Sequence, residues 1–177
     1  MRGSRSSIAS AQQNDAGTPE PEAGGHGVLA LERFLPYRLS VLANTVSRAL
    51  ARDYAERFGL SVPQWRVMAV LGRFPDLSAG EVAEKTAMDK VTVSRAVAGL
   101  LRDGRLQRSV HAGDRRRSVL RLSADGHEIY ARIVPIARAY EARLLEVLND
   151  EEFAALDAII DRLTETGRAL QRQGGEE

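Results

Sequence analysis

Apolar and polar positions along the chain fall into stretches with different periods. Residues 1–27 have almost no apolar pattern: apart from Met1, Ile8 is the sole large apolar residue before Val28, in a setting of Ser, Gly, Ala, Gln, Glu and Pro. Such a segment cannot bury enough surface to offset its ordering entropy, so a disordered tail is expected there. From Phe34 the period becomes helical. Leu35, Leu39, Leu42, Val46, Leu50, Tyr54 and Phe58 recur at spacings of three or four, a single stripe that ends at Gly59. Ser61-Val62-Pro63-Gln64 reads as a capping box opening a second helix with Trp65, Met68 and Leu71 inward, stopped by Gly72 and Pro75. Ser78-Ala79-Gly80-Glu81 is another such box, starting a short helix to about Thr86. Asp89 can cap a further helix to about Arg102, with Val93, Ala96 or Val97, and Leu100 inward and Gly104 as its left-handed terminator.

The texture then changes. Arg105–Val110 and Ser118–Leu122 mix apolar and charged residues at near-alternating positions, and turn-forming Gly113-Asp114 lies between them. This predicts a β-hairpin with a basic tip. Ser123 caps a long helix with the stripe Ile129, Ile133, Ile136, Tyr140, Leu144 and Leu148. Pro135 inside it predicts a kink or break near Arg132, since an interior proline costs about 3 kcal/mol. Asn149 or Asp150 opens the last helix, carrying Phe153, Leu156, Ile159, Ile160, Leu163 and Leu170.

The expected architecture is therefore mainly α with a small β-hairpin. It divides into a tail (1–27), an N-terminal helix (28–60), a helix-turn-helix lobe with its hairpin (61–122) and two C-terminal helices (123–172). Cysteine is absent, which excludes disulfides and thiolate chemistry, and the three histidines (His26, His111, His127) have no partner at helical metal-ligand spacing. No metal or cofactor is expected. No nucleophile elbow or Gly-rich phosphate loop occurs, so an enzyme is not expected either. No apolar run approaches the roughly 20 residues of a membrane span, and cytoplasmic residence is the expectation.

Net charge is only +1, but it is unevenly spread. Between Asp89 and Arg121 nine basic residues stand against three acids, so this segment carries +6 and the remainder −5. A cationic face on a dipolar molecule suits phosphate attraction. A solvated charged surface would have the same composition, and composition alone leaves the two readings even.

Order decides between them. Two short helices joined by a tight turn and followed by a two-stranded hairpin make a winged helix-turn-helix, whose second helix enters the major groove of DNA. Its first turns offer Lys90, Val91, Thr92, Ser94 and Arg95. Arginine can fork to guanine, and Thr or Val methyls can meet the thymine methyl. In the wing, Arg115, Arg116 and Arg117 can enter a narrow minor groove, and Asp114 is the acceptor that would orient one of them.

These residues carry a family resemblance. Over about residues 34–170 the chain resembles the MarR (multiple antibiotic resistance regulator) family. The segment Asp114-Arg115-Arg116-Arg117-Ser118-Val119-Leu120-Arg121-Leu122-Ser123 fits its wing pattern D-x-R followed by L-x-L-[ST]. Met88-Asp89-Lys90-Val91-Thr92-Val93-Ser94-Arg95, with Leu100 and Gly104, fits its recognition helix. Arg105 departs from the aliphatic residue usual after that glycine and puts the hairpin register in question. The resemblance implies that the first helix and the last two interlock with a second subunit, a reading that their three long apolar stripes support independently. Such a two-fold homodimer places its recognition helices about 34 Å apart, on an inverted-repeat operator in double-stranded DNA. It further implies a repressor released by a small aromatic carboxylate or an acyl-CoA thioester, for which Tyr37, Arg38, Trp65 and Arg66 could supply aromatic walls and cations. Packing and surface roles for those four residues are equally open. The competing function is a constitutive or architectural DNA binder without an effector.

Overall fold

The computed structural model describes the backbone of residues 28–111 and 114–173, and the side chains of residues 28–110 and 118–173. The tail expected over 1–27 lies outside the described residues. The described residues fall into two units, divided between Leu39 and Ser40. The described part of the first holds a turn at Leu31–Arg33 and the opening turns of the first helix.

Among the described residues six helices and two strands follow one another: α1 (Leu35–Phe58), α2 (Val62–Arg73), α3 (Ala79–Thr86), α4 (Lys90–Arg102), β1 (Leu106–His111), β2 (Asp114–Leu122), α5 (Ala124–Leu145) and α6 (Asp150–Gln173). Among the described residues no helix is long and apolar enough to cross a membrane.

Local chemistry sets most of the boundaries. At α2 the Ser61 hydroxyl accepts from Gln64 N, and Gln64 Oε1 accepts from Ser61 N at 2.9 Å. The same reciprocal arrangement joins Ser78 and Glu81 at α3, and Asn149 and Glu152 at α6. These pairs satisfy donors that a helix start leaves without partners. Gly59 (φ +62°) and Gly104 (φ +69°) turn the chain out of α1 and α4 in the left-handed region, where a Cβ would be strained.

The core of the second unit is built from Tyr54 and Leu60, Val67, Met68 and Leu71 of α2, Val82 of α3, Val93, Val97 and Leu100 of α4, Leu106, Leu120 and Leu122 of the hairpin, and Ile133 of α5. Val93, Ala96, Val97 and Leu100 are all buried, so the inward face of α4 is the one its spacing predicts.

Three features differ from the sequence expectation. First, α2 runs through Gly72 to Arg73. Gly72 is there for packing: a Cβ at this position would lie 2.6 Å from the Tyr130 ring. Second, β2 begins at Asp114, so Arg115–Arg117 have strand backbone instead of forming a loop. The ladder is regular from Leu106↔Leu122 to Val110↔Ser118 and then shifts to His111↔Asp114, which sets the three arginines within the irregularity. Third, α5 continues through Pro135 without a break.

The segment between α2 and α3 also does more than connect. Leu77 bridges to Leu120: Leu120 N donates to Leu77 O (2.8 Å) and Asp76 N donates to Leu120 O (3.1 Å). A one-residue third strand thereby joins the hairpin.

Candidate nucleic-acid interface

The site is organised by the start of α4. The Asp89 carboxylate accepts from Thr92 N (2.8 Å) and from the Thr92 hydroxyl (2.6 Å), fixing the first turn. These bonds, the side-chain one foremost, hold the Asp89 carboxyl below the usual carboxylate range. The Thr92 hydroxyl is therefore committed to the cap, and its methyl is what remains for an outside contact. Ala87, in the turn from α3 to α4, sits in the left-handed region at φ +51°. That turn sets the angle between the two helices.

Of the residues singled out from sequence, Lys90, Val91, Ser94 and Arg95 are exposed, and Val91 retains 58% of its surface. Ser94 thus faces outward. Ala98 and Arg102 continue the same outward stripe at spacings of three and four. Arg95 has no ion pair among the described residues, so its guanidinium is available. The side chains of Asp114, Arg115, Arg116 and Arg117 lie outside the described residues; their backbone belongs to β2.

The base of the wing is held from two directions. Arg121 chelates the Asp76 carboxylate, with Nε at 3.0 Å and Nη2 on the same oxygen, tying β2 to the turn before α3. On the other side, Ser123 Oγ donates to Gly104 O (2.7 Å) and accepts from Gly126 N (2.9 Å). Ser123 N donates to Arg105 O (3.1 Å). Gly126 packs so closely that a Cβ there would fall 2.0 Å from Arg105 O.

Arg105, the departure from the usual pattern, leaves the hairpin in regular register and takes a separate role. Its Nη2 donates to Phe58 O at 2.7 Å, satisfying a carbonyl at the C-terminal end of α1 where the helix dipole favours a cation. Its Nη1 is buried with no hydrogen-bond partner among the described residues. Asp76, Arg121 and this use of Arg105 escape sequence reasoning, because each depends on a partner 45 or 47 residues away.

The residues considered for a ligand are placed as follows. Tyr37 and Arg38 lie exposed in the first turns of α1. Trp65 and Arg66 are half-buried on α2. The Trp65 ring is 5.8 Å from Tyr54 and 6.0 Å from Tyr130, an aromatic column joining α1, α2 and α5. Arg66 Nη2 donates to Ser47 Oγ at 3.0 Å. Burial raises the Tyr54 hydroxyl above its ordinary value, with Arg66 opposing the shift. Between α1 and α5 a separate cavity of about 320 Å³ is lined by Val46, Leu50, Val134, Ala137, Tyr140 and Leu144 together with the oppositely charged Arg138 and Glu141.

This geometry has known counterparts. Residues 58–117 match the model of the MarR family. The HTH-type transcriptional regulator BilQ of Clostridium symbiosum is 25% identical over 114 residues, covering 64% of this chain and 79% of that protein. The HTH-type transcriptional repressor YetL of Bacillus subtilis is 27% identical over 125 residues, covering 70% and 73%. A crystal structure of a MarR/EmrR family transcriptional regulator from Acinetobacter sp. ADP1 superposes with a TM-score of 0.74 at 25% identity, covering 80% of this chain and 99% of that one. The recognition-helix and hairpin patterns, the helix order and these relatives agree: across residues 58–117 the chain matches the MarR family, and its fold is similar to that of MarR family transcriptional regulators.

Proposed function

We propose that the protein is a sequence-specific DNA-binding repressor that works as a homodimer on an inverted-repeat operator. The observation that carries this reading is the exposed stripe Lys90, Val91, Ser94 and Arg95 on a capped α4, beside a hairpin whose strand contains Arg115, Arg116 and Arg117, in a segment of charge +6. In this reading α4 lies in the major groove, where Arg95 reads a guanine and the Val91 and Thr92 methyls meet thymine. The wing arginines enter the minor groove beside it, oriented by Asp114. The name of the relative YetL supports repression over activation.

Dimerisation falls to residues 28–60 and 123–172. In the single chain α6 has no buried residue, and Phe153, Ile159 and Ile160 each keep nearly half their surface exposed. A continuous apolar helix face of this kind marks a protein interface. Two-fold pairing through it sets two α4 helices about one DNA turn apart.

Release by a small aromatic carboxylate or its CoA thioester completes the proposal. Tyr37, Arg38, Trp65 and Arg66 are the candidate contacts. Because Trp65 already stacks on Tyr54 and Tyr130, and Arg66 already holds Ser47, an effector here acts by replacing contacts that brace α2 against α1 and α5.

Two substitutions test the DNA contacts on a duplex selected by the wild-type protein from random sequence. Arg95→Ala relaxes preference at one base pair at a cost of about 1–3 kcal/mol. Arg116→Ala weakens binding to all duplexes and makes the salt slope shallower by about one unit. If both variants bind like the parent, the contact surface is misplaced. Aromatic acids that raise Tm and release the duplex together support the effector; a panel that moves neither favours constitutive binding.

A further inference from the structure

Resting on the DNA-binding reading but adding a contact outside it, we infer that the groove between the start of α2 and the outer flank of α4 is a seat for the sugar-phosphate backbone. The groove has a volume of about 550 Å³ and is lined by Ser61, Gln64, Arg95, Gly99 and Arg102, among others, with no acidic residue in its wall. It has three donors. Arg95 is exposed and has no ion pair among the described residues. Arg102 lies two turns further along the same stripe with its side chain 78% exposed; the ion pair it makes is to its chain neighbour Asp103, open to solvent, and such a pair is worth little. Gln64 supplies the third. Its Oε1 is spent on the α2 cap, which turns its amide nitrogen toward Gly99, so close that a Cβ at Gly99 would stand 2.8 Å from it. Gly99 thus keeps the floor low where the amide needs room.

Donors in a groove whose own wall holds no carboxylate suit an anion. The occupant follows from the dimensions of the partner. An α-helix about 10–12 Å across fills a major groove about 12 Å wide. When the outward stripe of α4 faces base edges, its flanks therefore meet the two phosphate walls. The groove lies on the flank next to α2, and Arg102 stands at the end of α4 remote from the Asp89 cap, beyond the turns assigned to bases. Arg95 spans both surfaces, and Arg102 with Gln64 belongs to the backbone alone.

The test uses the full-length protein with two probes of equal length, a duplex it selects from random sequence and a scrambled duplex, titrated by fluorescence anisotropy over a range of KCl. Arg102→Gln is expected to weaken both duplexes by a common factor of about three to ten and to make the salt slope shallower by about 0.9. Arg102→Lys is expected to regain most of both. On the selected duplex, a single neutral methylphosphonate at the contacted phosphate weakens the wild type and leaves Arg102→Gln unchanged. Thermal melting checks that the variants fold. If Arg102→Gln matches the wild type in affinity and slope while Arg95→Ala does not, the seat is refuted and the DNA-binding reading stands. A wild-type protein that binds neither duplex removes both.

Discussion

Gly126 is the position where the structure makes its sharpest energetic demand, and Gly126→Ala tests it. The ideal Cβ falls 2.0 Å from Arg105 O and 3.1 Å from Arg105 C. Ordinary carbon–oxygen contact needs over a third more distance, and the obstacle is backbone that cannot rotate away. Relief requires the start of α5 and the start of β1 to separate by roughly 1 Å, enough to break hydrogen bonds whose geometry weakens steeply with stretching. Two lie on that seam, Ser123 N to Arg105 O and Ser123 Oγ to Gly104 O. Overpacking costs about 1–3 kcal/mol, and the two bonds add about 0.5–1.5 kcal/mol each. Alanine returns at most about 1 kcal/mol through helix propensity. With the full alanine return counted, the net loss is about 1–5 kcal/mol, and each kcal/mol lowers Tm by roughly 2–4 °C for a chain of this size. Melting followed by circular dichroism, with urea titration as a second measure, reads this directly. Gly80→Ala is the control: in α3 the nearest atom to its Cβ is 3.9 Å away, so it gains a little stability from propensity. A Gly126→Ala protein that melts within a degree of wild type would refute the close approach.

Further outcomes follow from the same seam and from the turn before α4. Ser123→Ala removes a cap and leaves the Gly104 carbonyl without its donor, for a loss of about 1–3 kcal/mol in chemical denaturation. Ala87→Gly relieves left-handed strain of about 1–2 kcal/mol, less the entropy glycine adds to the unfolded chain; a Tm rise of a few degrees is expected, and a fall would contradict the conformation of the turn. The Asp89 carboxyl is lowered in the folded state, so its contribution to stability is present above its ordinary value of 3.8 and is lost as pH falls through the lowered one. Asp89→Asn keeps a capping acceptor without that titration, so stability measured from pH 5 downward should fall less steeply than in the wild type. The raised Tyr54 hydroxyl acts at the other end: stability is intact below pH 10 and lost above it, and Tyr54→Phe should flatten the alkaline limb.

What could be read from sequence was what the chain decides locally. Ser61 with Gln64, Ser78 with Glu81 and Asp89 with Thr92 find their partners within one turn, so the starts of α2, α3 and α4 are visible in the residue order. The inward stripe of α4 follows from a period that tertiary structure does not alter. Glycine was legible where a left-handed φ was the reason, at Gly59 and Gly104. It was not legible at Gly72 and Gly126, whose reason is a ring or a carbonyl from a distant segment. Pro135 was read by its local cost, yet α5 continues past it. Of the candidate site, the outward stripe of α4 was foreseen. The commitment of the Thr92 hydroxyl to its cap, the Asp76–Arg121 pair and the reach of Arg105 to Phe58 are properties of the assembled unit.

The strand contributed by Leu77 has a mechanical consequence. It stitches the hairpin to the turn that launches α3, and the Asp76–Arg121 pair reinforces the stitch from the next residue on each side. Hairpin and helix pair therefore share one frame, so a displacement of either carries the other with it. In amide exchange, Leu77 and Leu120 should open together with the α3 amides in one cooperative step, with a common response to denaturant.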